Sequence, residues 1–287
     1  MRSGINLNAM ENIFTRLMNV DNSEANDYYD EERFLVCGNC HTRKQSLKDL
    51  SCIGKGMRKV PCLCKCGMEK REEEERKEKE AKRLNRIKIL KEQGIADPQY
   101  LKHHLSSDDK QNEKISGAVE RYINKWEEIK EKNIGLLFYG GVGRGKTFYA
   151  GCIANSLIEQ GIPVIMTNIP ALITSMSKDF EKDKSVILQR ISYVSLLVLD
   201  DLGVERNTAY GYEKLQEIID TRYRSGKPLI VTTNLLPKEL KEPEDSRYKR
   251  VYDRILEMCH PIHVGGESRR ESKARNMREE AKNILYI

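Results

Sequence analysis

The chain has 287 residues, of which 39% are hydrophobic and 33% charged, a balance typical of a folded protein with a strongly solvated surface rather than a disordered chain. Its formal net charge of +6 permits contact with nucleic acid but does not require it. No apolar stretch approaches the roughly 18–20 residues that span a bilayer, and the opening MRSGINLNAM lacks the apolar core of a secretory signal, so we expect a soluble cytoplasmic protein with no membrane partner.

The length allows one full α/β domain and a smaller unit, because typical domains contain roughly 100–200 residues. Residues 1–35 are polar and acidic with few apolar positions, which predicts at most one short amphipathic helix. A highly charged segment then ends near Gly94. We therefore expect an N-terminal region over residues 1–95 and a larger domain over residues 96–287.

Six of the eight cysteines lie between Cys37 and Cys66. Without an export signal, this clustering favours metal binding over disulfide bonds. A Cys-x₂-Cys pair followed by a second cluster is close to the spacing of zinc ribbons, and a tetrahedral Zn²⁺ ion needs four thiolates. The favoured zinc ligands are Cys37, Cys40, Cys64 and Cys66.

The motifs Cys37-Gly-Asn-Cys40 and Cys62-Leu-Cys64-Lys-Cys66 together offer five cysteines, one more than a four-ligand site needs, so alternatives stay open. Cys62 and Cys52 are the alternate ligands, and His41 is a weaker one. An iron–sulfur cluster could use the same side chains, but nothing in the spacing favours it. Cys152 and Cys259 are expected to be buried and unligated. Because this region is poor in apolar residues, a bound metal would stabilise its fold directly.

Glu and Lys or Arg alternate in the segment GMEKREEEERKEKEAKRLNRIKILKEQGI, at spacings that allow many i,i+4 ion pairs. This pattern predicts a solvated helix that ends near Gly94, and its simplest interpretation is a connector without a specific partner. A second helix is predicted over Ile115 to Lys130, where apolar residues recur at helical spacing.

From Ile134 onward, short apolar runs alternate with stretches of helical spacing. The apolar runs are GLLFYG, PVIMTN, SLLVLDD and PLIVTTN. Between them, one predicted helix begins at Lys146, a helical region ends at Tyr193, and a further helix covers residues 210–224. Continuous hydrophobicity in LLVL and LIV is typical of strands covered on both faces. The pattern predicts an α/β fold with a parallel sheet flanked by crossover helices.

A phosphate-binding loop is predicted at residues 140–147, which fit G-x-x-x-x-G-K-[ST] between an apolar strand and a helix. Its glycines let successive backbone N–H groups point at phosphate oxygens, as the following helix N-terminus also does. Lys146 would reach the β and γ phosphates of ATP, and Thr147 would ligate Mg²⁺. The predicted nucleotide-binding residues of the loop are Gly140, Gly141, Val142, Gly143, Arg144, Gly145, Lys146 and Thr147.

Polar side chains follow two of the predicted strands, at the edge where parallel sheets bind ligands. Asp200 is the expected Mg²⁺ partner, acting through its water shell or Thr147, and Asp201 is placed to activate or orient the attacking water. Asn234 ends the strand PLIVTTN, and its amide could hold that water. Either carboxylate or the amide could also be a plain strand-end turn residue.

The segments GLLFYGGVGRGKT, LLVLDDLG, VTTN, VYDRI and GESRR, in this order and spacing, resemble the DnaC/DnaI-type replicative helicase loaders and the related IstB-like ATPases. The resemblance covers about residues 94–275 and implies an AAA+ P-loop NTPase, preceded by a small zinc-binding domain and a helical connector. It implies Walker A at residues 140–147, Walker B at Asp200 and Asp201, and sensor 1 at Asn234. We therefore expect an ATPase with ATP, Mg²⁺ and Zn²⁺ as cofactors.

The resemblance also assigns roles to two arginines, whose planar fork suits phosphoryl oxygens. Arg254 in VYDRI would be the arginine finger that completes a neighbouring subunit's site, with Arg250 in reserve four residues earlier on the same helical face. Arg270 in GESRR would be the sensor 2 residue, with Arg269 as the alternative, because the family form GES-Tyr-Arg appears here as GES-Arg-Arg. Taken alone, each arginine would be assigned to the protein surface.

Two departures from the wider AAA+ pattern bear on function. Asp201 stands where most AAA+ proteins carry Glu, a feature that these loaders share and that predicts slow turnover unless DNA or a partner stimulates it. Only 17 residues follow Arg270, too few for the helical lid domain of many AAA+ proteins, so we expect an AAA+ domain without a separate lid.

Similar loaders hold the helicase through a zinc-bearing N-terminal domain. The resemblance therefore implies a loader of the replicative hexameric helicase onto single-stranded DNA, with self-association through the AAA+ domains. Lys178, Lys182 and Lys184 are candidates for contacts with the DNA backbone. The alternatives are an IstB-like transposition ATPase that remodels duplex DNA for a transposase, and a nucleotide-gated adaptor without enzymatic activity.

Overall fold

The computed structural model describes residues 24–176, 181–204 and 208–285. The described residues form two compact units, one up to Lys82 and one from Arg83 onward. The domain boundary expected between residues 95 and 96 stays a prediction, and the helix expected within residues 1–35 falls largely outside the described residues. No described helix is long and apolar enough to cross a membrane.

The smaller unit contains two short antiparallel sheets and the first part of a long helix. Its strands are β1 (Tyr28–Tyr29), β2 (Leu35–Val36), β3 (Gln45–Asp49) and β4 (Met57–Pro61). Strand β1 pairs with β2, and β3 pairs with β4. Helix α1 (Lys65–Gly94) begins within the second cysteine cluster and ends at the predicted residue. Its surface carries i,i+4 ion pairs, such as the one between Arg71 and Glu75, as its charge pattern predicts.

The larger unit is built on a five-stranded parallel sheet with the order β6-β7-β8-β5-β9. Its strands are β5 (Gly135–Tyr139), β6 (Val164–Asn168), β7 (Leu196–Leu202), β8 (Leu229–Thr233) and β9 (Cys259–His263). Its helices are α2 (Glu113–Asn124), α3 (Trp126–Glu131), α4 (Lys146–Glu159), α5 (Ile169–Met176), α6 (Glu181–Tyr193), α7 (Ala209–Ser225), α8 (Pro237–Lys241), α9 (Lys249–Met258) and α10 (Arg269–Leu285). The predicted α/β fold is confirmed.

Apolar side chains pack on both faces of this sheet, as the continuous hydrophobic runs predict. Leu136 and Phe138 of β5 point into a core formed with α2 and α4. Leu137, between them, points into a second core formed with α5, α7 and α9. Cys152 and Cys259 are both buried, one in each core, as expected. The two cores fix the strand ends that carry the candidate site.

Among the differences from the sequence-based predictions, two concern the sheet and the core that position the site. Strand β9 was not predicted, because its sequence CHPIH contains a proline and few apolar residues; proline is compatible with this position because β9 lies at the edge of the sheet. The single helix predicted over Ile115 to Lys130 is wrong, since α2 and α3 are separated by a break at Lys125. The break lets the Trp126 ring pack into the same core as Tyr122.

Candidate functional site

The loop between β5 and α4 has the backbone conformation that its glycines allow. Gly140 and Gly143 have φ angles of 141° and 77°, and residues other than glycine rarely adopt such positive φ angles. A Cβ atom at Gly140 would also lie 2.5 Å from the Val264 carbonyl oxygen. Helix α4 begins at Lys146, and residues 142–148 line one cavity, so this helix N-terminus is placed to bind a phosphate there.

Lys146 is buried and held by three oxygen acceptors. Its ammonium donates to the carbonyl oxygens of Gly140 and Gly141 at 2.8 and 2.9 Å, and to Asn234 Oδ1 at 2.7 Å. Burial lowers the pKa of Lys146, while the nearby carboxylates Asp201 and Asp200 oppose this shift. The positive charge of Lys146 is therefore partly desolvated, and a bound polyanion would stabilise it.

Asp200 lies at the centre of a buried hydrogen-bond network. Its Oδ1 accepts from Thr147 Oγ1 at 2.8 Å and from Thr232 Oγ1 at 2.6 Å. Its Oδ2 accepts from the Tyr100 hydroxyl at 3.2 Å. Thr147 and Asp200 thus present adjacent oxygen ligands of the kind that Mg²⁺ prefers, and the residues present fit that ion.

Asp201 has an unusual backbone conformation that turns its carboxyl group toward the cavity. Its φ angle is 60°, and the pairing of β7 with β8 shifts register between Leu199 and Leu202. The Asp201 amide donates to Thr232 Oγ1 at 3.0 Å. Such a bulge with a left-handed residue costs free energy on the order of 1–3 kcal/mol and is found where a functional side chain must be redirected.

The ionisation of Asp201 leads to a prediction. Burial and the adjacent Asp200 raise the pKa of Asp201, whereas Lys146 and Arg270 oppose the shift. If Asp201 activates water, hydrolysis requires its ionised form and must fall as the pH drops through this raised pKa. We expect Asp201→Asn to slow hydrolysis about 100-fold or more and to remove this acidic limb, with nucleotide binding retained. Phosphate release measured from pH 4.5 to 8 tests this, and an unchanged limb in the variant would exclude Asp201 as the base.

One cavity of about 520 Å³ brings the predicted nucleotide residues together, a size within the range of small-molecule sites. Predicted residues in its wall are Val142, Gly143, Arg144, Gly145, Lys146, Thr147, Asp200, Asp201, Asn234, Arg269 and Arg270. Gly140 and Gly141 contribute through their carbonyl oxygens on Lys146. Arg254 is absent from the lining, and the sequence did not predict Tyr100 and His103, which belong to it.

Arg269 and Arg270 have different surroundings. Arg269 forms a two-pronged ion pair with Asp109, with both N–O distances 2.7 Å, and donates to the Arg144 carbonyl oxygen. Its backbone amide donates to Gly143. Arg270 is exposed on the cavity wall, where its charge acts on Asp201 and Lys146. Arg269 therefore ties α10 to the phosphate loop, and Arg270 is the arginine available to a phosphate.

These surroundings predict opposite phenotypes for the two arginines. Arg270→Ala should slow hydrolysis by on the order of 100-fold, the usual effect of removing one charge-stabilising donor, with little change in Tm. Arg269→Ala should lower Tm by about 2–4 °C, because it breaks the anchor of α10. Thermal melts and phosphate release on both variants test the assignment, and the reverse pattern would move the sensor 2 role to Arg269.

Arg254 is engaged within its own chain. Its guanidinium pairs with the Asp220 carboxylate of α7 and lies 5.1 Å from the centre of the Tyr223 ring, and its side chain is 19% exposed. Arg250, one turn earlier in α9, is exposed. Arg247 precedes α9 in a 3₁₀ turn and pairs with Asp245. The finger role of Arg254, with Arg250 in reserve, stays a prediction.

The four favoured cysteines converge in the smaller unit. The Sγ atoms of Cys37, Cys40, Cys64 and Cys66 all lie within 4.8 Å of one another. Cys66 Sγ is 3.4–3.5 Å from each of the other three. A tetrahedral zinc with Zn–S bonds of about 2.3 Å places its sulfurs about 3.8 Å apart, so the cluster fits this ion.

The other candidate ligands point elsewhere. Cys62 Sγ faces the Arg43 carbonyl oxygen at 3.6 Å, Cys52 is exposed, and the His41 ring contacts the Tyr28 hydroxyl at 3.1 Å. The cluster also receives backbone support, because the Gly67 amide in the first turn of α1 points at Cys64 Sγ. A helix N-terminus stabilises thiolate charge.

The lysines proposed to contact DNA are only partly described. Lys178 lies outside the described residues, and nothing is described of the Lys182 side chain. Lys184 forms an ion pair with Glu217 at 2.7 Å, so its charge is already partly compensated. A contact between these lysines and DNA stays a prediction.

The model of a known family, described as IstB-like ATP binding protein, matches residues 67–277, well over half of the chain. The chain belongs to this IstB-like family. Membership supports ATP binding at the family level, with Mg²⁺ as the usual companion ion. This IstB-like protein is 29% identical over 151 residues to the replicative helicase loader DnaI of Bacillus subtilis (strain 168), an alignment that covers 48% of each protein.

Other relatives have different names. The IstB-like protein is 26% identical over 167 residues to Rv3427c of Mycobacterium tuberculosis (strain ATCC 25618 / H37Rv), which is named as an ATP-binding protein in an insertion sequence. That alignment covers 56% of this chain and 65% of the relative. A crystal structure of the DnaC helicase loader superimposes with a TM-score of 0.50 at 26% identity, across 59% of this chain and 100% of that one. The chain spans about half the length of the curated relatives it matches.

Proposed function

We propose that this protein is an ATP-dependent loader that places a replicative hexameric helicase on single-stranded DNA when replication initiates. The cavity around Lys146 carries this proposal, because a buried ammonium, a Thr147–Asp200 oxygen pair and the exposed Arg270 meet in one place. Such a set binds a nucleoside triphosphate and senses its γ phosphate. The likeness to proteins named DnaI and DnaC supports the helicase as partner.

Six residues of the cavity have proposed tasks in hydrolysis. Phosphate oxygens would take the place of the carbonyl oxygens that Lys146 now contacts. Thr147 and Asp200 would hold Mg²⁺, which supplies charge neutralisation when bound. Asp201 would take a proton from the water that attacks the γ phosphorus, and Asn234 would orient that water. Arg270 would stabilise the charge that develops on the phosphoryl oxygens.

We further propose that the N-terminal region holds the helicase and that Zn²⁺ at the four cysteines keeps that region folded. ATP-bound AAA+ domains would associate side by side, with Arg254 or Arg250 completing a neighbour's site, and hold single-stranded DNA. Binding of the helicase should be tighter in the presence of ATP, because the nucleotide stabilises the associated AAA+ domains.

The test is a pull-down of purified replicative helicase from the same organism by the tagged full chain, with and without ATP. We expect ATP-dependent capture of a loader–helicase complex, and Asp201→Asn, which should bind ATP without hydrolysing it, should retain more of it. If no helicase is captured either with or without ATP, the proposed loader role is wrong. The family name and the insertion-sequence relative favour one rival, a transposition ATPase. Capture of a purified transposase, but not of the helicase, in a parallel pull-down would establish that rival.

A further inference from the structure

The segment at residues 95–103 follows α1 and is pinned to the ATPase core at several points. A parallel bridge to Met166 of β6 holds its start. The Asn155 side chain of α4 donates to the carbonyl oxygens of Tyr100 and His103 at 2.7 and 2.9 Å. One buried amide thus fixes both ends of the turn that carries Tyr100.

The His103 ring packs so closely on α4 that only glycine fits beneath it. A Cβ atom at Gly151 would lie 2.4 Å from His103 Nδ1. The ring also meets Phe148 edge-on, with ring centres 5.7 Å apart. This close packing leaves the turn little freedom to move relative to α4, whose first residues are Lys146 and Thr147.

Tyr100 is buried, and its hydroxyl reaches Asp200 Oδ2. An ionised carboxylate only accepts hydrogen bonds, so the Tyr100 hydroxyl is the donor in this contact. Thr147 and Thr232 occupy the other carboxylate oxygen of Asp200. Three donors from separate parts of the chain therefore orient one carboxylate, and a ring without the hydroxyl would fill the same space without orienting it.

We propose that Tyr100 is a positioning residue for the magnesium site: its hydroxyl holds the Asp200 carboxylate in the orientation that receives Mg²⁺ beside Thr147. The inference rests on the proposed ATP-binding function of the cavity. Groups that hydrogen-bond to a metal-binding carboxylate without touching the metal typically contribute about 10- to 100-fold to metal affinity. Tyr100 would thereby link metal binding to docking of the 95–103 segment.

The experiment compares Tyr100→Phe with a matched control, Tyr122→Phe. The Tyr122 hydroxyl is also buried and donates one hydrogen bond, to the Ile134 carbonyl oxygen at 2.8 Å, but Tyr122 does not line the cavity. Affinity for a fluorescent, non-hydrolysable ATP analogue is measured on the full chain in EDTA and across a Mg²⁺ titration. The readout is the factor by which Mg²⁺ tightens binding, with Tm recorded for each variant.

We expect Tyr100→Phe to reduce this factor about tenfold and to leave affinity in EDTA unchanged, while Tyr122→Phe keeps the wild-type factor. An unchanged factor in Tyr100→Phe would overturn the inference and leave the ATP site intact. Equal weakening with and without Mg²⁺ would also overturn it, because Tyr100 would then contact the nucleotide itself. No binding by the wild-type chain would instead refute the proposed function of the cavity.

Discussion

Lys146→Ala should slow ATP hydrolysis by at least about 100-fold, the usual scale for a lost charge-stabilising donor, and should also weaken binding of ATP. In the structure, the ammonium is buried at the mouth of α4 and held by Gly140, Gly141 and Asn234. Alanine removes the positive charge that would meet the β and γ phosphates, and no cavity residue can replace it from that position. Calorimetry with ATP and measurement of phosphate release test the prediction.

The Tm of Lys146→Ala should show whether the loss of ATP binding and hydrolysis comes from the missing side chain or from misfolding. Because burial lowers the pKa of Lys146, its charged form is disfavoured in the folded protein, so the charge opposes folding at neutral pH. Removing this cost offsets part of the stability lost with the three hydrogen bonds of the ammonium, so Lys146→Ala should keep a Tm close to that of wild type. Lys227→Ala is the matched control, since Lys227 also donates to two carbonyl oxygens, those of Ser192 and Tyr193, and does not line the cavity.

A comparison of wild type with Lys146→Ala also distinguishes an ATPase from a nucleotide-gated adaptor without enzymatic activity. If wild type and Lys146→Ala release phosphate at equal, near-zero rates in the presence of single-stranded DNA and helicase, the adaptor is favoured. A wild-type rate that collapses in the variant establishes hydrolysis by this cavity. Unchanged ATP affinity in Lys146→Ala would contradict the assignment of residues 140–147 as the phosphate-binding loop.

Local patterns carried most of what the sequence could predict. The phosphate loop was recognisable because its chemistry needs glycine, lysine and a hydroxyl at fixed spacing, within a strand-to-helix turn. The parallel sheet followed from buried apolar runs that alternate with helices. Strand β9 escaped because a short edge strand with Pro261 lacks that signature.

Contacts between distant parts of the chain were out of reach. Tyr100 and Asp200 are 100 residues apart, and their hydrogen bond exists because the 95–103 segment docks on α4. Arg222 is another case: its buried guanidinium binds carbonyl oxygens of Ile191 and Pro228, a role that composition cannot indicate. The direction of the Cys62 side chain, whose Sγ faces the Arg43 carbonyl oxygen, could likewise not be predicted from spacing, and which cysteine is surplus stays a prediction.

Removal of zinc should unfold the smaller unit. Structural zinc contributes about 10–16 kcal/mol in small zinc-binding folds, as much as the roughly 5–15 kcal/mol that stabilises an entire domain. Few apolar residues of this unit are buried, among them Phe34, Leu35 and Val36. We expect one zinc ion per chain by elemental analysis, and rapid proteolysis of the N-terminal region after chelation.

Serine substitutions distinguish the ligands from the spare cysteine. Cys37→Ser and Cys64→Ser should lose zinc and protease resistance, because each removes one of four converging sulfurs. Cys62→Ser, two residues from Cys64 but directed at a carbonyl oxygen, should retain one zinc and resist protease like wild type. Binding of ATP, measured in parallel, shows that the larger unit is folded in every sample. Metal loss in Cys62→Ser equal to that in Cys64→Ser would place Cys62 among the ligands, since a sulfur outside the metal's coordination sphere has no means of holding the ion.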